Sequence, residues 1–125
     1  MITFNAMKKK ILVIEDDTDI LEITTSVLNQ AKFDVSGSEG TNDIIDLVKS
    51  QQPDLVLTDY MLPGLSGGQI CTLLKNNKDT AGIPVVLMSA YKKEAIAIGN
   101  FSFDAYIKKP FDINYLVSVI RKLIN

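Results

Sequence analysis

Three acidic residues, Glu15, Asp16 and Asp17, stand directly after the apolar run Ile11-Leu12-Val13-Ile14. Thr58 and Asp59 follow a second run, Leu55-Val56-Leu57, and Ser89 and Ala90 follow a third, Val85-Val86-Leu87-Met88. Lys108-Lys109-Pro110-Phe111 follows the weaker run Ala105-Tyr106-Ile107. With these runs side by side, carboxylates, a hydroxyl and an ammonium meet on one rim. Crowded carboxylates repel, and at least one pKa rises unless a cation intervenes. Oxygen donors few in number, with room left for water, suit Mg²⁺ better than a transition metal. A lysine is a compact positive charge suited to a phosphoryl group, and a serine hydroxyl can donate to another phosphoryl oxygen. The set is suited to hold a phosphoryl group on a carboxylate, with an aspartate as nucleophile. Taken singly, each residue has a plainer reading: Asp17 as a helix cap, Lys109 as a solvated charge, Ser89 as a local hydrogen bonder. Their joint placement favours the chemical one.

The elements that must position these residues follow from the apolar pattern. The continuous, β-branched runs read as strands covered on both faces. Phe33-Asp34-Val35 and Ala105-Tyr106-Ile107 are weaker strand candidates. Between the strands, apolar residues recur at helical spacing. Ile20, Ile23, Thr24, Val27, Leu28 and Ala31 mark the first helix, with Asp17 or Thr18 as its cap. Ile44, Ile45 and Val48 mark a second, starting near Thr41 or Asn42. Ile70, Leu73 and Leu74 mark a third, and Lys92 to Ile98 a short fourth. Ile113, Leu116, Val117, Ile120, Leu123 and Ile124 form the cleanest stripe, after Asp112 as cap. Strand and helix alternate five times, which predicts a parallel sheet with helices on both faces: a doubly wound α/β fold, (βα)5. In such sheets the working site lies at the carboxyl ends of the strands. Residues 1–7 are expected to form an N-terminal tail and residues 8–125 a single domain.

Composition removes other chemistry. The chain has 125 residues, 46% hydrophobic and 22% charged, which fits one domain with a core and argues against disorder. It has no histidine, hence no histidine ligand, base or Ser-His-Asp triad. The single Cys71 forms no intrachain disulfide or cysteine-based zinc site, and is expected to be a small buried filler on helix three. A net charge of −2 and a pI near 5.0 argue against direct nucleic-acid binding. No apolar run suits a membrane span and no signal peptide is legible, so a cytoplasmic location is expected.

The acidic pair after Ile11-Leu12-Val13-Ile14, the stretch from Pro53 to Gly64, the stretch from Pro84 to Ala90, and Lys109-Pro110-Phe111 together resemble the receiver domain of two-component response regulators. The resemblance runs from Lys8 to Asn125. It implies a flavodoxin-like sheet in the order 2-1-3-4-5. It implies that Asp59 is the phosphoacceptor and that Mg²⁺ is held by Asp16 directly, Glu15 through water, Asp59, and the main-chain carbonyl of Met61. Ser89 matches the switch hydroxyl, Tyr106 the switch aromatic, and Lys109 the lysine that pairs with Asp59 and then with the phosphate. The Lys109-Pro110 bond is expected to be cis. The implied donor is a phosphohistidine on a sensor histidine kinase or phosphotransfer protein, and the chain catalyses only its own phosphorylation and dephosphorylation. The implied output is a shift of the face made by helix four, strand five and helix five toward a downstream target, from a monomer or weak homodimer. The alternative is a phosphorylation-independent interaction module of the same shape. An aspartate-nucleophile phosphohydrolase would need its aspartates after the first strand and room for a cap.

Two stretches depart from the family pattern. The segment from Ser89 to Lys109 is short, and Asn100-Phe101-Ser102-Phe103-Asp104 stands where a small-residue turn is usual. Phe101 and Phe103 then either pack in the core or form a contact patch. Gly67-Gly68 is a weak start for helix three.

Overall fold

A computed structural model of the chain describes residues 8–97 and 99–124. Residues 1–7, expected as a tail, and Ile98, expected in the fourth helix, lie outside the described residues. The elements are β1 (Lys10–Ile14), α1 (Thr18–Gln30), β2 (Asp34–Ser38), α2 (Ile44–Gln51), β3 (Leu55–Asp59), α3 (Gly67–Lys75), β4 (Val85–Ser89), α4 (Lys93–Ala97), β5 (Ala105–Lys108) and α5 (Ile113–Ile124). All strand pairs are parallel, in the order β2-β1-β3-β4-β5, which is the flavodoxin-like arrangement.

Side chains alternate across each strand and so feed two cores. Ile11, Val13, Leu55, Leu57, Val86 and Met88 pack on one face with Leu28 of α1 and Leu116 and Ile120 of α5. Leu12, Ile14, Val56 and Val85 pack on the other with Ile44 and Val48 of α2 and Ile70, Cys71 and Leu74 of α3. This double coverage is why β1, β3 and β4 are continuous apolar runs. The register sets Ile14 beside Thr58, Asp59 beside Met88 and Ser89 beside Lys108. The carboxyl ends of four strands are therefore nearly level.

Several local expectations shift. β2 begins at Asp34 and runs to Ser38, beyond the Phe33-Asp34-Val35 run. It pairs only with β1 and lies at the sheet edge, so it needs little apolar sequence, while Phe33 turns into the core. α2 begins at Ile44, close to Thr41 and Asn42, and Asp43 caps it, its carboxylate accepting from the Asp46 amide. Asp17 caps α1, accepting from the amides of Asp19 and Ile20 at 3.0 and 3.1 Å. Ile23 and Ile113 belong to apolar stripes yet are 61% and 46% exposed. α3 starts on a capping box in which Ser66 and Gln69 satisfy each other's backbone amides. That box offsets the weak helix propensity of Gly67-Gly68. Gly67 also lets α3 approach the end of β3, because a Cβ there would overlap the Asp59 carbonyl oxygen.

Candidate functional site

Four of the five strand ends present the polar groups of the site. Glu15 follows β1 and is 1% exposed; Asp16, next to it, is exposed. Asp59 closes β3 at 7% exposure, and Ser89 closes β4, also buried. Lys109 follows β5, and its amide donates to the Ser89 carbonyl at 2.7 Å, which ties the ends of β5 and β4 together.

The side chains converge. The Lys109 Nζ lies 2.7 Å from Glu15 Oε1 and 2.9 Å from Asp59 Oδ1. Carboxylate oxygens of Glu15, Asp16 and Asp59 lie within 4.8 Å of one another. One ammonium thus stands against two buried carboxylates, with a third at the rim. Burial pushes the Asp59 carboxyl up, the nearby Asp16 charge adds to this, and the Lys109 hydrogen bond opposes it. Burial also raises Glu15, with Lys109 opposing and Asp59 adding. Burial alone would lower Lys109, but its hydrogen bonds to Glu15 and Asp59 outweigh that, so its pKa is raised and it stays an ammonium. The pocket carries excess negative charge in a desolvated place. A small hard cation within reach of all three oxygens would relieve it, and an all-oxygen donor set fits Mg²⁺.

Glu15, Asp16, Asp59 and Lys109 are therefore brought together. Ser89 sits at the adjacent strand end, where its Oγ accepts from the Tyr91 amide at 3.0 Å. Tyr106, on β5, is half-buried; its ring lies 5.9 Å from that of Phe103, and its hydroxyl donates to the Tyr91 carbonyl. Met61 lies two residues beyond Asp59 with its side chain exposed. The Lys109-Pro110 bond is cis. Phe101 and Phe103 are partly buried and pack against the α2–α3 core.

The sequence reading paired Lys109 with Asp59 and missed its bond to Glu15, 94 positions away. It also missed the ring contacts of Tyr60 with Tyr91 and Phe101, at centroid distances of 6.1 and 5.9 Å. The placement of Tyr60 directly after Asp59, and of Tyr91 two residues after Ser89, was the available signal.

Comparison with known proteins gives one consistent result. The family described as "Response regulator receiver domain" matches residues 11–121. The chain is 38% identical over 117 residues to the phosphate regulon transcriptional regulatory protein PhoB of Klebsiella pneumoniae, covering 92% of this chain and 51% of that protein. It is 34% identical over 119 residues to the DNA-binding response regulator MtrA of Mycobacterium tuberculosis, covering 94% and 51%. The chain thus spans about half the length of the curated relatives it matches. Among solved structures, the response regulator protein TrrA of Thermotoga maritima, in complex with Mg²⁺-BeF, aligns with a TM-score of 0.81 and 25% identity, covering 92% of this chain and 98% of that one. The receiver domain of the Francisella response regulator 1452 aligns with a TM-score of 0.84 and 25% identity, covering 94% and 97%.

Proposed function

The chain belongs to the response regulator receiver domain family, and we propose that it is a phosphorylation-dependent signalling receiver in which Asp59 accepts the phosphoryl group. The observation that carries this is the buried Asp59 carboxylate held 2.9 Å from Lys109 inside a trio of carboxylates. Asp16, Asp59, the Met61 carbonyl and, through water, Glu15 would hold Mg²⁺. When bound, the ion supplies positive charge that offsets the repulsion among the carboxylates and the phosphoryl oxygens.

The chain's own residues do the rest. An Asp59 oxygen attacks phosphorus as the phosphorus–nitrogen bond of a donor phosphohistidine breaks, and the imidazole leaves with the bonding pair. A small donor such as acetyl phosphate serves in the same way. Lys109 neutralises charge on the transferred group, and Glu15, 2.7 Å from its ammonium, keeps it in the pocket throughout. The gain comes from positioning and charge placement. Water later cleaves the acyl phosphate and restores the Asp59 carboxylate, so the chain turns over no substrate other than itself.

Ser89 would exchange the Tyr91 amide for a phosphoryl oxygen, and Tyr106 would follow. That change biases the face formed by α4, β5 and α5 toward a second packing. The donor is a sensor histidine kinase or phosphotransfer protein. The net charge of −2 supports a domain that does not itself contact nucleic acid. Among the described residues no helix is long and apolar enough to cross a membrane, and a cytoplasmic location is proposed.

Incubation with acetyl phosphate and Mg²⁺, read by intact mass, tests this. Wild type gains one phosphoryl group; Asp59→Asn and a metal-free reaction do not. Unchanged wild-type mass, together with a partner complex that forms without phosphate, would reverse the conclusion in favour of a phosphorylation-independent module.

A further inference from the structure

Phe101 occupies a seat that the chemistry of the site does not require. Its ring lies against Gly68 of α3 and Gly99, and a Cβ added at Gly68 would fall 2.6 Å from two ring carbons. The Tyr60 ring forms another wall and itself meets the Tyr91 ring edge-on. Beneath, the fully buried Cys71 thiol donates to the Phe101 carbonyl at 2.8 Å. The residues on either side, Asn100 and Ser102, have φ values of 53° and 62°. Asparagine visits that left-handed region readily, whereas serine adopts it at a cost. The segment is held closed by what the ring touches, against the backbone preference of Ser102.

The walls of the seat connect to the phosphoacceptor. Tyr60 is bonded in sequence to Asp59, and the Tyr91 amide is held by Ser89 Oγ. When the Ser89 hydroxyl turns to a phosphoryl oxygen, the Tyr91 amide loses its acceptor, and the ring contact that backs Tyr60 loosens. We infer that Phe101 is a conformational latch, seated while Asp59 is bare and released when Asp59 is phosphorylated, so that residues 99–104 lift and uncover Cys71. The inference rests on the reading of Asp59 as phosphoacceptor and adds to it a route from the site to the α4–β5 segment. In the seated state burial pushes the Cys71 thiol up to about 11. Lack of access and lack of thiolate both protect it from alkylation.

Intact mass after timed exposure to N-ethylmaleimide reads both events in one spectrum, because phosphoryl and maleimide additions differ. With acetyl phosphate and Mg²⁺, phosphorylated molecules are expected to alkylate at Cys71 about tenfold faster than bare ones, as a local opening requires. Asp59→Asn stays slow in the same mixture. Phe101→Ala, and Gly68→Ala whose new methyl fills the seat, react fast without any phosphoryl donor, whereas Phe101→Leu stays slow until phosphorylated. Phosphorylated wild type that reacts as slowly as bare protein overturns the latch and leaves the role of Asp59 standing; so does a folded Phe101→Ala as slow as wild type. Absence of any phosphoryl gain overturns both together. The wild-type comparison needs no substitution, so it decides even where Phe101→Ala does not fold.

Discussion

At the scale of single residues, Asp59 is placed where a charge is expensive. It is buried, it faces Asp16 and Glu15, and it shares one ammonium with Glu15. Asparagine keeps the shape and removes the charge. Without metal, Asp59→Asn is therefore expected to be more stable than wild type, by about 1 kcal/mol or roughly 4 °C in melting temperature. A calorimetric scan in chelator checks this, and a variant that melts below wild type would show that the Lys109 bond outweighs the burial cost. With Asp59 phosphorylated as proposed, Tyr91 is expected to bear on the lifetime of the phosphoryl group, because its half-exposed ring stands two residues beyond Ser89. Tyr91→Ala is expected to shorten the acyl-phosphate half-life about two- to tenfold by admitting water; decay followed by intact mass decides, and an unchanged half-life counts against it.

At the scale of elements, legibility in the sequence tracked burial. β1, β3 and β4 are covered on both faces, so their sequences are unbroken apolar runs and the chemical residues at their ends stood out. β2 is an edge strand with the sequence Asp34-Val35-Ser36-Gly37-Ser38, which carries no such signal. The sequence put Lys109 and Glu15 on one rim but not in one bond, because ion pairs across a sheet have no sequence period. The Phe101 seat was hidden for the opposite reason: its main feature is a missing side chain, and Gly68 read as a poor helix former. The closeness of α3 to β3 supplies a test at this scale. Gly67→Ala would drive a methyl into the Asp59 carbonyl and is expected to cost about 1–3 kcal/mol. Gly82, with open space where a Cβ would stand, is the contrast; Gly82→Ala should be neutral or stabilising by about 0.4–1 kcal/mol. Urea midpoints for the two variants measure the difference, and equal midpoints would mean that α3 can move away at little cost.

For the whole molecule, the fold acts as a frame that forces like charges together and is stabilised when they are relieved. Protons and Mg²⁺ are two ways of relieving them, and they compete. The Asp59 and Glu15 carboxyls have raised pKa values in the folded chain, from burial first. A raised carboxyl binds its proton more readily in the folded than in the unfolded state. Its contribution to stability is then present in full below the unfolded pKa and is lost as pH rises through the folded value. In chelator, the melting temperature of wild type should accordingly lie below that of Asp59→Asn at pH 7, and the gap should close as pH falls into the carboxylate range. Comparison with the variant cancels the titration of groups far from the pocket. Saturating Mg²⁺ reverses the order at pH 7, since binding to the folded state alone adds RT ln(1 + [Mg²⁺]/Kd), about 2.7 kcal/mol at a hundred times Kd. The gain shrinks on acidification, because the ion needs the carboxylates that protons then occupy. Paired melts of wild type and Asp59→Asn across pH, with Mg²⁺ and with chelator, read all four limits. A gap that widens toward low pH in chelator would mean that Asp59 is stabilised as an anion by Lys109, and that the pocket is an ion pair rather than a strained cluster awaiting a cation.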